Sequence, residues 1–309
     1  MTAALVVARG GMLTTVQDSG RWGYQGVGVP VAGPMDWYSH ALANRLVGNT
    51  PKAAALEVTL IGPELIVEGH VVCALAGATF DVTVDGGAVP MHRPFTAPSG
   101  SRLRIGTRRA GARATLAARG GFNVPQTFGS RATHLVSRMG PFDGRALRAG
   151  DRLPIGAADA QSIGDAGIPL EMPRGGARVR VVPAARRDRF TNDAWRTLTS
   201  ARFVVTPQSN RMGYRLEGPA LSHVRGADIL SEAMPIGAIQ VPSSGQPILL
   251  MADRQTTGGY ATIANVITAD LPVAGQLAPG DWIEFSPCSH EEAIAALRTR
   301  HASLAGTRT

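Results

Sequence analysis

The sequence predicts a mainly β protein with a few short helices, folded as two lobes, on three observations. Its 309 residues exceed a typical single domain and suffice for two cores. Its 37 glycines and 21 prolines, beside 44% hydrophobic and 17% charged residues, describe a folded chain of many tight turns. Short apolar runs of strand length recur in each half, and a stretch without periodicity divides them.

The elements follow in order. Leu5 to Val16 reads as two strands around Arg9-Gly10-Gly11, followed by a loop dense in glycine and polar residues from Gln17 to Gly26. Asp36 is placed to cap a helix with Tyr38, Leu42 and Leu46 on its apolar face, and Gly48 to end it. From Ala54 to about Gly156 the pattern is strand and turn. Phe80-Asp81-Val82-Thr83-Val84 alternates, and Asp85-Gly86-Gly87 supplies residues that accept positive φ in a hairpin. Further strands through Leu103 to Ile105 and Ala114 to Ala117 predict a closed or half-closed barrel.

Residues 157–176 lose periodicity and accumulate Ala, Asp, Gly and Pro, as a linker does, so the lobes are expected at 1–165 and 166–309. The second half restarts with the strand Val179 to Val182 and a short helix with Phe190, Trp195 and Leu198 on its apolar side. Strands continue to Ile283-Glu284-Phe285, and a closing helix opens on a capping box of Ser289 and Glu292. Both halves carry a Leu-Glu, Gly-Pro, Leu sequence, at Leu56-Glu57, Gly62-Pro63 and Leu65, and at Leu216 to Leu221. Both close on Gly-Asp, at Gly150-Asp151 and Gly280-Asp281, which suggests duplicated lobes.

The formal charge is +8, and Lys52 is the only lysine. The densest basic cluster, Arg102, Arg104, Arg108, Arg109 and Arg113, has no interleaved aromatic, which argues against nucleic acid as a partner. Cys73 and Cys288 have neither disulfide nor metal spacing. Met1 to Val7 lacks a basic segment, and no apolar stretch approaches membrane-spanning length, so a cytoplasmic protein without membrane partners is expected.

Several chemistries lack their residues. There is no Gly-Lys-Ser/Thr phosphate loop, no dinucleotide fingerprint and no Gly-x-Ser-x-Gly elbow. The histidines are scattered, so no metal is expected. A Ser-Ser-Lys amidase triad also fails, because Lys52 has no serine-rich glycine loop around it.

What remains is polar residues set in glycine-rich segments. Arg254, Arg21 and Arg211 offer planar forks for a carboxylate or phosphate. Asp18, Asp36 and Asp253 are candidate bases or acceptors of a substrate N–H, and Gln17, Gln240 and Gln255 can match an amide edge with both donor and acceptor. Taken singly, Asp18 and Asp36 also read as turn and cap residues, and Asp253-Arg254 as an internal salt bridge.

The segments taken together resemble one family. They are Thr14-x-x-Gln17-Asp18-x-Gly20-Arg21-x-Gly23, Gly28-Val29-Pro30-x-x-Gly33-Pro34-Met35-Asp36, Ser209 to Gly218, Pro235 to Pro242 with Gly245 to Ile248, and Met251 to Tyr260. The family is the biotin-dependent carboxyltransferase-like group, whose members are named as the C subunit of 5-oxoprolinase, the second subunit of allophanate hydrolase, and KipA. The resemblance implies two cyclophilin-like β-barrel lobes. It implies the C subunit of an ATP-dependent 5-oxoprolinase, inactive alone, which assists the opening of 5-oxoproline to glutamate beside a KipI-like B subunit and a lactam-handling A subunit. ATP is then consumed by the complex at a site the sequence does not locate. Two alternatives share the fold: a carboxyltransferase component of a biotin-dependent urea or amide carboxylase, and a KipA-type regulatory protein without turnover. The allophanate hydrolase label conflicts with the missing Ser-Ser-Lys triad.

Under this resemblance Asp253 is a base or orienting group, Arg254 offsets charge on the lactam oxygen or holds a carboxylate, and Tyr260 donates at the pocket edge. Gln17, Asp18, Arg21, Asp36, Arg211, Gln240 and Gln255 are expected to contact the small amide-like substrate. Carrier biotin needs a lysine in an Ala-Met-Lys-Met-like turn, and Pro51-Lys52-Ala53 is nothing of the kind. The chain is therefore expected to stay unlabelled on an avidin blot after production in cells with active biotin ligase; a labelled band at its size would refute this.

Overall fold

The alternating apolar runs become strands almost throughout the computed structural model, which describes residues 3–158 and 167–306. The expected lobe boundary at 165 and 166 lies outside the described residues. By density of internal contacts the chain divides into two units. The first holds the described residues up to Arg21, Ala32–Met172 and those from Ala302; the second holds Trp22–Val31 and Pro173–His301.

The first unit contains β1 (Ala4–Arg9), β2 (Leu13–Gln17), β3 (Ala55–Thr59), β4 (Glu64–Glu68), β5 (Val71–Val84), β6 (Gly87–Ala88), β7 (Pro94–Ala97), β8 (Arg102–Ala118) and β9 (Arg152–Pro154). They form a nine-stranded sheet with the path β2-β3-β8-β4-β1-β9, and β5 pairs with β6, β7 and β8. This is the half-closed form of the expected barrel. Its cause lies in β8, which is long enough to pair with β3, β4 and β5 along its length and so folds the sheet over itself. Inward residues such as Leu5, Leu56, Leu65, Leu75, Leu103 and Leu116 fill one core. The β5–β6 turn has positive φ at Asp85 (49°) and Gly86 (83°), the backbone that a two-residue hairpin requires.

Helix α1 (Trp37–Leu46) lies in this unit with Tyr38, Leu42 and Leu46 buried. Asp36 caps it, accepting the Ser39 N–H at 2.9 Å and the Ser39 hydroxyl at 2.6 Å. The single turn α2 (Pro141–Gly144) follows later in the chain. His40 of α1 is buried beside Asn44, whose amide lies 3.2 Å from its Nε2. Burial pushes this imidazole down from 6.5 to about 4, against the charges of Asp18 and Glu57, which favour protonation.

The second unit contains β10 (Gly176–Pro183), α3 (Asn192–Ser200), β11 (Arg202–Val205), β12 (Gly213–Glu217), β13 (Asp228–Ala233), β14 (Ala238–Gln240), β15 (Ile248–Leu250), β16 (Thr257–Tyr260), β17 (Thr262–Val266), α4 (Leu271–Ala274), β18 (Trp282–Pro287) and α5 (His290–Leu304), whose last turn passes into the first unit. Seven strands close a barrel in the order β10-β17-β14-β15-β12-β11-β18. The closing pair, β10 with β18, is parallel, while every other neighbour is antiparallel. A separate ribbon pairs β13 with β16. Thr191 caps α3, so Phe190, expected on the helix, instead lies buried just before it in extended backbone. The capping box of α5 is present, with Ser289 N–H to Glu292 Oε2 at 2.7 Å and Glu292 N–H to Ser289 Oγ at 3.1 Å.

The Gly-Asp corners are built alike in the two units. The Gly150 N–H donates to the Val7 carbonyl and the Val7 N–H to the Asp151 carbonyl, at 2.9 and 2.8 Å; Gly280, Val205 and Asp281 repeat this at 2.8 and 2.9 Å. Each aspartate carboxylate accepts the N–H three residues back, Arg148 in one and Ala278 in the other. Both glycines need positive φ, 90° and 92°. The echo in sequence is thus one corner made twice.

Among the described residues no helix is long and apolar enough to cross a membrane, and no three His, Cys, Asp or Glu side chains gather as a metal site would.

His40 supplies a pH dependence. Its folded pKa lies below its unfolded value, so its contribution is fully present above pH 6.5 and is lost as pH falls toward 4. That gap corresponds to roughly 3 kcal/mol. Urea unfolding of wild type should lose stability across this window, and His40→Gln should flatten the loss; parallel curves would remove His40 as the cause.

Candidate functional site

The glycine-rich segments of the second unit meet around one ion pair. Arg211 donates from Nε to Asp253 Oδ2 and from Nη2 to Oδ1, both at 3.0 Å, and the two side chains are only 3% and 2% exposed. Backbone bonds run alongside, from Asp253 N–H to Arg211 O at 2.8 Å and from Met251 N–H to Met212 O at 2.9 Å. The loop before β12 and the turn after β15 are thereby fastened together. Asp253 therefore pairs with Arg211, 42 residues away, in place of the neighbouring Arg254.

Arg254 leaves the same turn in another direction. Its Nε donates to Met234 O at 2.9 Å, and its Nη groups have no protein partner among the described residues. Burial lowers its pKa below the ordinary value. It lines a cleft of about 350 Å³ with Trp22, Gln25, Val31, Met234 and Gln255.

Gln255 is shared with a second cleft of about 240 Å³, which also holds Gln208, Asn210, Arg215, Gln240 and Tyr260 over Met212, Ile248 and Leu250. Gln240 is buried and tied on both ends: Nε2 donates to the Tyr260 carbonyl at 3.2 Å and to Met234 Sδ at 3.1 Å, while Oε1 accepts from Gln255 Nε2 at 3.3 Å. This leaves Gln255 Oε1 as an open acceptor and the Tyr260 hydroxyl, on a side chain 41% exposed, as an open donor. A third cleft of about 640 Å³ continues past Gln208, Arg215 and Tyr260 to Glu217, Ser244 and Gln246. The three share lining residues and form a run of openings on one unit, with polar and apolar side chains in each.

The other sequence candidates lie in the first unit and are engaged within it. Asp18 accepts from Gly20 N–H, Ser130 Oγ and Arg131 N–H at 2.9, 2.6 and 2.6 Å. Gln17 donates to Thr15 and to Thr133 O and accepts from Gly33 N–H. Arg21 is buried and donates to Thr127 O and Ala132 O. With Asp36 as a helix cap, all four serve local structure: three fasten the glycine-rich loop to residues 127–133, and one starts α1. Sequence reasoning missed Trp22, Gln25, Gln208, Asn210 and Arg215 as lining residues. Trp22 is 59% exposed beside Arg254's cleft, and an indole on a polar glycine-rich loop was the available signal.

Fold and clefts together define a two-unit, mainly β protein with a run of openings, lined in part by carboxamides, on the unit that holds the closed barrel. The family described as carboxyltransferase domain, subdomain A and B, matches residues 27–287, and the chain belongs to it. It is similar to the 5-oxoprolinase C subunit of Escherichia coli, 39% identical over 94% of this chain and 94% of that protein. It is also similar to urea amidolyase of Saccharomyces cerevisiae, 34% identical over 97% of this chain but only 17% of that protein. The crystal structure of K. lactis urea amidolyase superposes with a TM-score of 0.93 at 32% identity, covering 98% of this chain and 20% of that one.

Removing one partner of a buried ion pair leaves an uncompensated charge, which costs about 3–5 kcal/mol. Arg211→Ala and Asp253→Ala should therefore each lower the unfolding temperature sharply. The double variant Arg211→Met, Asp253→Leu should recover much of the loss; single variants that melt like wild type would show that the pair does not hold the site.

Proposed function

We propose that the chain is the C subunit of an ATP-dependent 5-oxoprolinase, assisting the opening of 5-oxoproline to glutamate beside A and B partner subunits. The observation that carries this reading is the end-to-end match to the 5-oxoprolinase C subunit of Escherichia coli, 94% of both chains. In the urea amidolyases the same stretch is about a fifth of a longer protein.

A lactam carbonyl is a poor electrophile because its nitrogen shares its lone pair with it. Transfer of a phosphoryl group from ATP to the lactam oxygen, with release of ADP, removes that protection: water adds at carbon, the C–N bond breaks and nitrogen takes a proton, and a second water hydrolyses the resulting acyl phosphate to the glutamate carboxylate and phosphate. This chain's share is to hold the amide. Gln255 Oε1 accepts the ring N–H, the Tyr260 hydroxyl donates at the rim, and the free Nη groups of Arg254 face charge that builds on the carbonyl oxygen. Asp253, bound on both oxygens by Arg211, acts as the positioning group for that turn, and Gln240 fixes the Gln255 carboxamide.

A second reading has its own support in the 0.93 TM-score against K. lactis urea amidolyase. In it the same clefts bring a urea-like nitrogen to carboxybiotin carried on another chain.

The test is reconstitution. The chain alone should release no glutamate from 5-oxoproline and ATP, and the mixture with A and B partners should. Arg254→Ala should lower that turnover by about tenfold or more, the effect of one charge-assisted contact, with its melting temperature little changed. Activity of the chain alone would overturn the subunit reading, and an inert mixture that carboxylates urea from supplied carboxybiotin would favour the second.

A further inference from the structure

Four arginines stand on the strands of the closed barrel that carry such residues, namely Arg178 and Arg180 on β10, Arg202 on β11 and Arg215 on β12. Three are ion-paired: Arg178 and Arg202 with Glu284, and Arg180 with Asp270. Arg215 is different. Its hydrogen bonds all run through its backbone, and its guanidinium has no hydrogen-bond or ion-pair partner among the described residues.

Its backbone is nonetheless fixed. The Arg215 N–H donates to Ser209 Oγ at 3.0 Å, its carbonyl accepts the Thr206 N–H at 2.9 Å, and it pairs across the ladder with Ile248. Strand alternation buries Tyr214 and Leu216 on either side and turns Arg215 outward, into the lining of the middle cleft. In that lining it is the one ionic side chain. The remaining polar groups are the carboxamides of Gln208, Asn210, Gln240 and Gln255 and the Tyr260 phenol.

A cation held on a rigid strand, with neutral amide groups and no carboxylate in the lining of the middle cleft, Glu217 lining only the third, matches a small ligand with a carboxylate at one end and an amide at the other. We propose that Arg215 binds the carboxylate of such a ligand, and that the middle cleft thereby selects acidic amides over neutral ones. The proposal rests on the 5-oxoprolinase reading for the amide half of the ligand and adds the anionic half. Urea, which has no carboxylate, gains nothing from Arg215.

Calorimetric titration of the full chain tests it, with L-5-oxoproline and 2-pyrrolidinone as probes that share the lactam and differ in the carboxylate. Wild type should bind 5-oxoproline more tightly. Arg215→Ala should weaken that affinity by about tenfold or more and leave 2-pyrrolidinone unchanged. Arg215→Lys should retain part of the preference, since it keeps the charge and loses the fork. Arg196→Ala removes an equal charge from the exposed face of α3 and should change neither probe. Thermal unfolding of each variant keeps folding apart from binding.

Arg215→Ala that binds 5-oxoproline like wild type, or a wild-type chain that binds no 5-oxoproline, overturns the proposal. The reconstituted assembly separates this from the functional reading. Turnover of 5-oxoproline with an unchanged KM in Arg215→Ala would sink the subsite and leave the activity standing. An inert assembly with Arg215-dependent binding would do the reverse.

Discussion

The Arg211–Asp253 pair is the contact on which the clefts of the second unit depend. Two charges removed from water are costly, and here the cost is offset only because both carboxylate oxygens meet the guanidinium fork. Two backbone bonds then run parallel to the pair, so the loop before β12 and the turn after β15 cannot shift independently. From that fastening the rest follows in sequence. Arg254 is aimed at Met234 O, the Met234 N–H is held by Thr256 O at 3.0 Å, and Met234 Sδ receives Gln240. Gln240 in turn fixes Gln255. A chain of satisfied groups ends in a few open ones, as a preorganised binding surface requires.

Local features of the fold were legible because their partners lie within a few residues. The Asp36 cap, the Ser289–Glu292 capping box and the Asp85–Gly86 hairpin each depend on a spacing of two or three positions. The closure of the barrel was not legible in that way. Gly176 pairs with Trp282 in parallel, more than a hundred residues on, and no local pattern distinguishes that pairing from an edge left open. The half-closed sheet of the first unit likewise follows from the length of β8, which the sequence shows only as separate apolar runs.

What was legible from motif density was that the run from Asp253 to Tyr260 is special, and the structure sets Arg254, Gln255 and Tyr260 of that run in cleft linings; what was illegible is a residue whose role depends on what is missing around it. Arg215 reads as an ordinary outward strand residue until the acids that pair its fellow arginines are seen to be elsewhere. Asp253 reads as the partner of Arg254 because the two are adjacent, yet side chains from a tight turn diverge, and Arg211 reaches in from another loop. In the first unit, Gln17, Asp18 and Arg21 resembled a binding loop because a loop rich in glycine needs many polar fasteners to keep one shape.

Lys52, the only lysine of the sequence, is exposed in the turn between α1 and β3, and every other basic side chain apart from the histidines is arginine. Guanidinium groups keep their protons far into alkaline solution. Amine-directed acylation can therefore be run at high pH on a protein that stays cationic there, with a single side chain available to react. Blocking the α-amino group first, at a lower pH where it is unprotonated and the lysine is not, would leave Lys52 as the one amine for a fluorophore or a surface tether, at a known address in the first unit.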